Sequence, residues 1–322
     1  MDRQTLYEPI QDELDQVRDI LGETHREDLI PIQELLSYAM EVHGKLVRPA
    51  LTLLAAKCCG ETNLGHAVEV ATAVELLHMA SLIQDDTIDE ADIRRGRPTI
   101  TKIWGRDVAM LVGDFLFSKA AELTCEANDI RIIRSYARAS KDASAGELSE
   151  LLANFDITVT QEQYMERIGA KTASLFSTAT EAGGLVSSAT QEQTEALRVY
   201  GIKLGLAFQI IDDVMDFRST KNNIGKPVVH DLSQGILTLP SILFLTKYPD
   251  NPVISNAFKN IDRDENIARA IELIRKDTVL DRSYSAAEEL VHEAQDALCI
   301  FEPCESLESL RGVAAYVLTR EQ

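Results

Sequence analysis

Apolar residues recur at intervals of three and four along almost the whole of this 322-residue chain, which is the period of an amphipathic helix. In the segment 67–84 the stripe of small and apolar side chains comprises Val70, Ala73, Val74, Leu77, Ala80 and Ser81. Similar stripes run through segments 107–127, 130–152, 172–186 and 195–217. Alternation with a period of two is scarce, and no Asn-Gly or Asp-Gly hairpin signal occurs. The pattern predicts an all-α protein.

Glycine and proline mark the breaks between these predicted helices. They cluster at 44–49, 96–98, 183–184 and 222–227. The irregular stretch 218–234 follows an acidic helix end, and loops of that length more often carry function than connect idle elements. No composition shift or internal repeat divides the chain, so we expect one domain over residues 1–322.

The net charge of −20, from 32 Lys and Arg against 52 Asp and Glu, argues against a nucleic-acid partner, since phosphate backbones select basic surfaces. A binding site for an anionic substrate would therefore need a local cluster of basic side chains. The N-terminal segment has no apolar core typical of a signal peptide, and no run of about 18 apolar residues indicates a membrane span. The five cysteines form no CxxC pair and are expected to be buried free thiols. We expect a cytoplasmic protein.

Two acidic clusters are the strongest chemical signal. Asp85, Asp86 and Asp89 have the same spacing as Asp212, Asp213 and Asp216, and residues four apart share one face of a helix. Carboxylates so close repel one another, and at the end of a helix the backbone dipole also disfavours them. A cation would offset both costs, and oxygen ligands suit Mg²⁺, which commonly joins carboxylates to substrate phosphates.

Basic residues accompany these clusters. Arg94 and Arg95 follow the first cluster closely, and guanidinium groups bind phosphate oxygens in pairs. Lys45 and Arg48 are three apart at the predicted start of a helix that runs to Cys59, where anions are favoured. Lys226 in the long loop and the pair Lys171-Thr172 are weaker candidates. Together these groups predict a metal–diphosphate site.

These pieces resemble the trans-polyprenyl diphosphate synthase family over residues 44–244. The matching stretches are GKLVRPAL at 44–51, LLHMASLIQDDTIDEADIRRGRPT at 76–99, LVGDFLFSKA at 111–120, KTASLFSTATEAG at 171–183, FQIIDDVMDF at 208–217 and GKPVVHDLSQGILTLP at 225–240. The resemblance implies a single large helical bundle around a central cavity. In such a bundle the two aspartate-rich helices face each other across the cavity mouth, with three Mg²⁺ ions at an allylic diphosphate.

The resemblance also implies roles for individual residues. The direct metal ligands would be Asp85, Asp89 and Asp212, supported by Asp86, Asp213 and Asp216 through water or hydrogen bonds. The allylic diphosphate would be held by Arg94, Lys171 and Lys226, with Thr172 and Gln209 nearby. The diphosphate of isopentenyl diphosphate would be held by Lys45, Arg48, His78 and Arg95. The implied catalytic set is Asp85, Asp89, Asp212, Lys171 and Lys226.

The implied reaction condenses isopentenyl diphosphate with farnesyl or geranylgeranyl diphosphate, in a homodimer. In this family, side chains one turn before the first cluster set the length of the product. Ala80 and Ser81 stand there, so the cavity floor is expected to be open, with Tyr136 as a candidate for a deeper stop. The HMASL phrase is similar to long-chain synthases, which implies a product of about six to eight isoprene units.

One departure and four alternatives stand beside this interpretation. Many relatives carry a basic residue near the end of the loop after the second cluster, where this chain has Gly235-Ile236. A short-chain synthase, a terpene cyclase and a non-catalytic subunit of a two-component synthase are alternatives within prenyl chemistry. A di-iron bundle is an alternative from another class, because Glu75-x-x-His78 and Glu289-x-x-His292 match the spacing of its ligands.

Overall fold

The computed structural model describes residues 3–24, 30–41, 44–61, 64–187, 189–219 and 229–319. Nearly all regular structure in these ranges is helical, which confirms the all-α prediction. The helices are α1 (Arg3–Tyr7), α2 (Gln11–Glu23), α3 (Ile30–Met40), α4 (Val47–Cys58), α5 (Gly65–Ile88), α6 (Ile100–Trp104), α7 (Arg106–Glu126), α8 (Ile130–Leu152), α9 (Gln161–Ile168), α10 (Ser174–Leu185), α11 (Gln191–Arg218), α12 (His230–Ser233), α13 (Leu239–Lys247), α14 (Val253–Phe258), α15 (Arg263–Lys276), α16 (Val279–Ala297) and α17 (Glu305–Thr319). One short hairpin, β1 (Ile93–Arg94) with β2 (Arg97–Pro98), follows α5.

The chain forms two compact units, each assembled from separate segments. Unit 1 consists of Met1–Ser140, Leu175–Gly201 and Ala297–Val313. Unit 2 consists of Lys141–Ser174, Ile202–Asp296 and Ala314–Gln322. The prediction of one domain over residues 1–322 stays a prediction.

The core of unit 1 is built on α5. Its residues from Ala67 to Leu77 are buried except for half-buried Glu69, and α5 packs against α7, α4 and α2. A helix that is apolar all round needs such neighbours to cover it. The long buried helix thus carries the first aspartate cluster at its C-terminal end.

Helix α5 is also the one helix, within the described ranges, that is long and apolar enough to cross a membrane. Of the stretch that meets this criterion, 67% is buried inside the protein. The core helix of a globular protein has the same property, so this is weak evidence for a span.

Unit 2 contains α9 and the segment that follows it. The N-terminus of α9 is closed by a capping box, in which Thr160 Oγ1 accepts from Gln163 N and Gln163 Oε1 accepts from Thr160 N. Such reciprocal bonds satisfy two donors that the first turn leaves open. A π-helical turn, Gly169–Ala173, then follows α9 directly. The helix predicted to begin at residue 172 therefore continues a helix that begins earlier, at Gln161.

The break predicted at Gly183-Gly184 is wrong. Both glycines lie inside α10 and are buried. A Cβ atom on Gly183 would overlap the carbonyl oxygen of Thr52 and the methyl group of Ala55 in α4. The glycine therefore permits a close approach of two helices in unit 1 and does not end a helix.

The cysteines are unpaired, as expected, but the expectation that they are buried is wrong for three of them. Cys58 and Cys59 are half-buried, whereas Cys125, Cys299 and Cys304 are exposed.

Candidate active site

The first aspartate cluster lies at the C-terminal end of α5, and its carboxylates differ in their surroundings. Asp86 is only 6% exposed, and Arg94 Nε lies 2.7 Å from both of its carboxylate oxygens. Asp85 is half-buried and Asp89 is exposed. The middle aspartate is thus held by the protein, while the outer two reach the surface. Arg94, which was predicted to bind a diphosphate, is the partner of Asp86.

The hairpin after α5 places the two arginines. Its turn is formed by Arg95 and Gly96, both with positive φ (51° and 79°), as in the tight turns that match strand twist. The strands pair Arg94 with Arg97. This hairpin was not predicted, because its Arg-Gly turn is not among the usual Asn-Gly or Asp-Gly signals.

The guanidinium group of Arg95 lies against Gly44, where an added Cβ would be 3.1 Å from both terminal nitrogens. The two basic segments predicted separately, 44–49 and 94–98, therefore meet in unit 1. Lys45 is exposed and precedes α4, which begins at Val47 and not at the earlier glycine.

A cavity that is open to solvent lies beside these groups in unit 1. Its lining includes Glu75 and His78 of α5 together with Asp86, Arg94 and Arg95. Burial, with Arg48, Arg95 and Arg94 nearby, holds the pKa of His78 well below its usual value, so this imidazole is neutral at pH 7. A neutral imidazole can donate one hydrogen bond without adding charge.

Arg48 and Glu75 are two buried ionisable side chains of this site, and each affects the pKa of the other. Burial lowers the pKa of Arg48 to about 10, against the opposing effect of Glu75. The guanidinium lies over the ring of Phe176 at 4.6 Å, and its buried Nε has no hydrogen-bond partner in the described part of the chain. An orphaned buried donor is costly, and an oxygen of a bound anion would satisfy it.

Glu75 is a site residue that the sequence did not predict for the diphosphate site, although it forms a Glu-x-x-His unit with His78. It is 4% exposed, and burial raises the pKa of its carboxyl group, opposed by Arg48 and Arg95. The second Glu-x-x-His unit, Glu289 and His292, is exposed on α16. Within the described ranges no three acidic, imidazole or thiol groups converge as preformed metal ligands.

The second aspartate cluster, in unit 2, repeats the pattern of the first. Asp213 is 4% exposed; Tyr164 Oη donates to its Oδ2 at 2.7 Å and Gln209 Nε2 donates to its Oδ1 at 2.8 Å. Asp212 is exposed and Asp216 is half-buried. Burial raises the pKa of Asp213 well above its usual value. The two clusters thus share one arrangement, with the middle carboxylate inward and the outer ones toward solvent.

Predicted diphosphate contacts of unit 2 lie next to this cluster. Thr172 Oγ1 donates to Gln209 Oε1 at 2.9 Å, which links the π-helical turn to the buried Asp213. Lys171 Nζ lies 2.6 Å from Glu147 Oε2 and 2.5 Å from Glu150 Oε1. Both glutamates lie on α8 and were missed by sequence analysis, because nothing in an exposed-looking helix pattern singles them out.

Two further buried charges of unit 2 were also missed. Arg167, in α9, is 5% exposed and its Nη2 donates to the carbonyl oxygen of Leu237 at 2.6 Å. Burial raises the pKa of Asp231 to about 7, with Asp216 and Glu150 adding to the effect. Both residues sit within ordinary-looking helix or loop sequence.

The departure at Gly235-Ile236 has a structural explanation. Gly235 has a φ of +85°, and a Cβ at this position would overlap the ring of Phe155. The backbone N–H of Phe155 donates to Gly235 O at 2.8 Å. A side chain is therefore excluded at Gly235 by packing. Lys226, predicted in the loop before it, lies outside the described residues.

The residues predicted to set chain length all belong to unit 1. Ala80 is fully buried in α5, and Ser81 is half-buried with its hydroxyl donating to His78 O. Tyr136 is 9% exposed and its hydroxyl donates to Phe117 O at 2.6 Å. Its hydroxyl is thus engaged within unit 1, as in an ordinary core tyrosine.

The donor set fits Mg²⁺. Asp85, Asp89, Asp212 and Asp216 offer hard carboxylate oxygens that solvent reaches, and Mg²⁺ is commonly bound by one or two carboxylates, waters and substrate phosphates. A preformed cage of protein ligands is not required for such an ion.

Comparisons with known proteins agree with these features. The profile of the polyprenyl synthetase family matches residues 31–274. Heptaprenyl diphosphate synthase component 2 of Bacillus subtilis is 31% identical, over 98% of this chain and 90% of that protein. A short chain isoprenyl diphosphate synthase of Methanothermobacter thermautotrophicus is 33% identical, over 100% of this chain and 98% of that protein.

Solved structures of prenyl diphosphate synthases have the same fold as this chain. A decaprenyl diphosphate synthase from Rhodobacter capsulatus aligns with a TM-score of 0.92 and 32% identity, over 99% of this chain and 100% of that one. Sequence and fold match over essentially the whole length, so this chain is a member of the polyprenyl synthetase family.

Proposed function

We propose that this prenyltransferase is Mg²⁺-dependent and condenses isopentenyl diphosphate with an allylic diphosphate to give a long all-trans product. The observation that carries the proposal is the shared arrangement of the two aspartate clusters. Asp86 and Asp213 are held by protein donors, which fixes the helix ends. The outer aspartates are reached by solvent, and Asp85, Asp89 and Asp212 are the proposed direct ligands of the ions.

The cavity in unit 1 is proposed to bind the diphosphate of isopentenyl diphosphate. Arg48 and Arg95 supply fixed charge, and neutral His78 supplies a hydrogen bond. The orphaned Nε of Arg48 supports this assignment, because a diphosphate oxygen would complete its hydrogen bonding. Lys45, exposed at the start of the same segment, would reach the outer phosphate.

Residues of unit 2 are proposed to bind the allylic diphosphate. Lys171 donates to the oxygens of the leaving pyrophosphate and so stabilises the negative charge that develops as the allylic C–O bond breaks. Thr172 and Gln209 hold the turn that carries Lys171. Mg²⁺, when bound, neutralises diphosphate charge and promotes departure of pyrophosphate.

The remaining steps need no nucleophilic side chain. With both diphosphates held, the double bond of isopentenyl diphosphate attacks the allylic carbon, and one C–C bond forms as one C–O bond breaks. A proton leaves the carbon next to the resulting cation and re-forms an alkene. The departed pyrophosphate is the proposed acceptor of this proton.

A long product is the proposal for chain length. Small side chains at Ala80 and Ser81 leave room before the first cluster. Family members named as heptaprenyl, octaprenyl and decaprenyl synthases resemble this chain, which supports the same end product class. The short-chain relative at 33% identity is the reason that product length needs its own measurement.

The test is incubation of the purified chain with Mg²⁺, radiolabelled isopentenyl diphosphate and farnesyl diphosphate, followed by chromatography of the dephosphorylated products. A ladder ending at about six to eight isoprene units, abolished by EDTA and restored by Mg²⁺, is expected. A product of about three or four units would overturn the long-chain proposal. Full activity in EDTA would overturn the Mg²⁺ proposal.

We also propose that the chain works as a homodimer without a second component. The relative named component 2 makes this a necessary control. Light scattering should give twice the mass of one chain, and incorporation should require no added protein. No incorporation with farnesyl, geranyl or geranylgeranyl diphosphate would instead indicate a missing partner subunit.

A further inference from the structure

We infer that Arg167 is a positioning residue of this enzyme, which orients Lys171 through Glu150 and anchors the segment around Leu237. The inference rests on the proposed function for its catalytic consequence, since Lys171 is the proposed contact of the allylic diphosphate. Arg167 itself does not touch the substrate in this assignment.

The first observation is the burial of a charged side chain at this place. Arg167 is 5% exposed, and arginine is almost never buried unless it is paired. Its Nη2 donates to Leu237 O at 2.6 Å. Its Nε, which has no hydrogen-bond partner among the described residues, lies 3.5 Å from Glu150 Oε2. The guanidinium therefore attracts Glu150 by charge, without a hydrogen bond between them.

The second observation is the division of Glu150 between two cations. Its Oε1 accepts from Lys171 Nζ at 2.5 Å, while its Oε2 faces Arg167. Lys171 is also paired with Glu147. Lys171 and Arg167 are the cations beside Glu147 and Glu150, and the buried Asp231 also interacts electrostatically with Lys171 and Glu150. Without Arg167, two glutamates would surround the one ammonium group and hold it more tightly.

The third observation concerns the segment that Arg167 anchors. Residues 229–246 contain no lysine or arginine, and Gly235 is closed to side chains by Phe155. Cations therefore reach this segment from other elements: Arg167 of α9 donates to Leu237 O, and Arg263 of α15 donates to Ser233 O. Arg167 also lies 5.7 Å from the ring of Tyr164, whose hydroxyl donates to Asp213. The guanidinium of Arg167 thus lies close to Glu150, which binds Lys171, and to Tyr164, which binds Asp213 of the second aspartate cluster.

The chain offers a matched control for this arginine. Arg263 donates to a backbone carbonyl in the same region, Ser233 O, at 2.6 Å, and lies over the ring of Phe155 at 5.2 Å. It has no carboxylate partner among the described residues. Arg263→Met therefore removes an anchor of comparable kind without changing the charges around Lys171.

The first measurement needs no substrate. The reactivity of Lys171 toward acetic anhydride is followed by mass spectrometry in wild type, Arg167→Met, Arg167→Lys and Arg263→Met, with exposed Lys276 as the internal standard. Loss of Arg167 leaves the ammonium of Lys171 with two unshared carboxylates. We expect Lys171 to react about threefold more slowly in Arg167→Met, with Arg167→Lys intermediate and Arg263→Met unchanged.

The second measurement is calorimetric binding of pyrophosphate in the presence of Mg²⁺, with kinetics of each substrate. Loss of a residue that orients a ligand group commonly costs ten- to a hundredfold. We expect about tenfold weaker pyrophosphate binding and a raised KM for the allylic diphosphate in Arg167→Met. The KM for isopentenyl diphosphate, whose proposed ligands are in unit 1, should stay within about twofold.

Unchanged or faster labelling of Lys171 in Arg167→Met would overturn the inference, as would equal effects of Arg167→Met and Arg263→Met on pyrophosphate binding. Failure of wild type to bind pyrophosphate with Mg²⁺ would count against the proposed function alone. In that case the labelling result would still decide whether Arg167 orients Lys171.

Discussion

At the scale of single residues, the two middle aspartates explain why each cluster can present its other carboxylates to solvent. A buried carboxylate is tolerated only when donors surround it. Arg94 donates a hydrogen bond to Asp86, and both Tyr164 and Gln209 donate hydrogen bonds to Asp213. The partners differ in chemistry, one ionic and one neutral, although the spacing of the two clusters is the same.

Removal of the Tyr164 hydroxyl should weaken the second cluster. In Tyr164→Phe the bond to the buried Asp213 is lost, and a buried polar group left without its partner costs about 1–3 kcal/mol. We expect a fall of that size in the free energy of unfolding and about tenfold weaker Mg²⁺–pyrophosphate binding. Urea unfolding and calorimetry are the measurements. Tyr200→Phe, which removes a buried bond to Leu310 O, should lower stability without altering binding.

Gly44 can be tested by a single methyl group. In Gly44→Ala the new Cβ would sit 3.1 Å from the guanidinium nitrogens of Arg95, so the end of this flexible side chain must move. Small displacements of a positioning group are costly to catalysis, and we expect about a tenfold rise in the KM for isopentenyl diphosphate with unchanged thermal stability. Gly22→Ala, which has open space around it, should leave this KM unchanged. Equal KM values in both variants would contradict the placement of Arg95 in this site.

At the scale of elements, the end of α11 must carry negative charge where the helix dipole disfavours it. The positive charge of Arg275, on α15, offsets this effect. Its Nε donates to Phe217 O and its Nη2 donates to Ser219 O, each at 2.6 Å. The guanidinium thus satisfies carbonyl groups that the last turn leaves open. The second aspartate cluster is therefore supported from another helix of unit 2.

Loss of this cap should be measurable. We expect Arg275→Met to lower the free energy of unfolding by about 1–2 kcal/mol, since a cation at a helix C-terminus contributes up to that amount. Arg269→Met, an exposed arginine on the same helix, should lie within about 0.5 kcal/mol of wild type. Denaturant titration decides between them. A loss in Arg269→Met as large as in Arg275→Met would show that the effect belongs to α15 and not to the cap.

At the scale of the whole molecule, product length is the property that a single enlarged side chain should change. Ala80→Phe should shorten the product, because the ring would fill the space before the first cluster. Ala80 is fully buried, so overpacking of about 1–3 kcal/mol is expected too, and half-buried Ser81→Phe provides a second variant. Chromatography of the products is the measurement. An unchanged ladder in both folded variants would refute the open floor.

The stability of the protein should also depend on pH through Asp231. Its folded pKa is about 7, above the unfolded value of about 4, so the folded state binds more protons between these values. Stability contributed by this group is present below about pH 4 and is lost as pH rises to about 7. The advantage of Asp231→Asn over wild type should therefore grow between pH 4 and 7, to at most about 4 kcal/mol, and then level off. Urea titrations in EDTA at pH 5 and 8 test this; an equal difference at both pH values would contradict it.

The helical class, the long helices and the two aspartate clusters can be predicted from the sequence alone. This is possible because helical period and i, i+4 spacing are local properties: the stripe predicted at 67–84 lies inside α5, and Asp85 and Asp89 share one face whatever surrounds them. The motifs that resemble prenyl synthases are local in the same sense. The family and the candidate ligands followed from them.

Which charges are held by protein partners and which reach solvent depends on the tertiary structure. Arg94 pairs with Asp86 because an Arg-Gly turn folds the hairpin back. A glycine stands at position 183 inside α10 because α4 packs too closely there for a side chain. Tyr164, Glu150 and Arg167 stand in ordinary helix patterns, so no spacing rule identifies them. Burial of a polar group and the partners that compensate it depend on residues far apart in the chain, and these contacts form only when the elements pack.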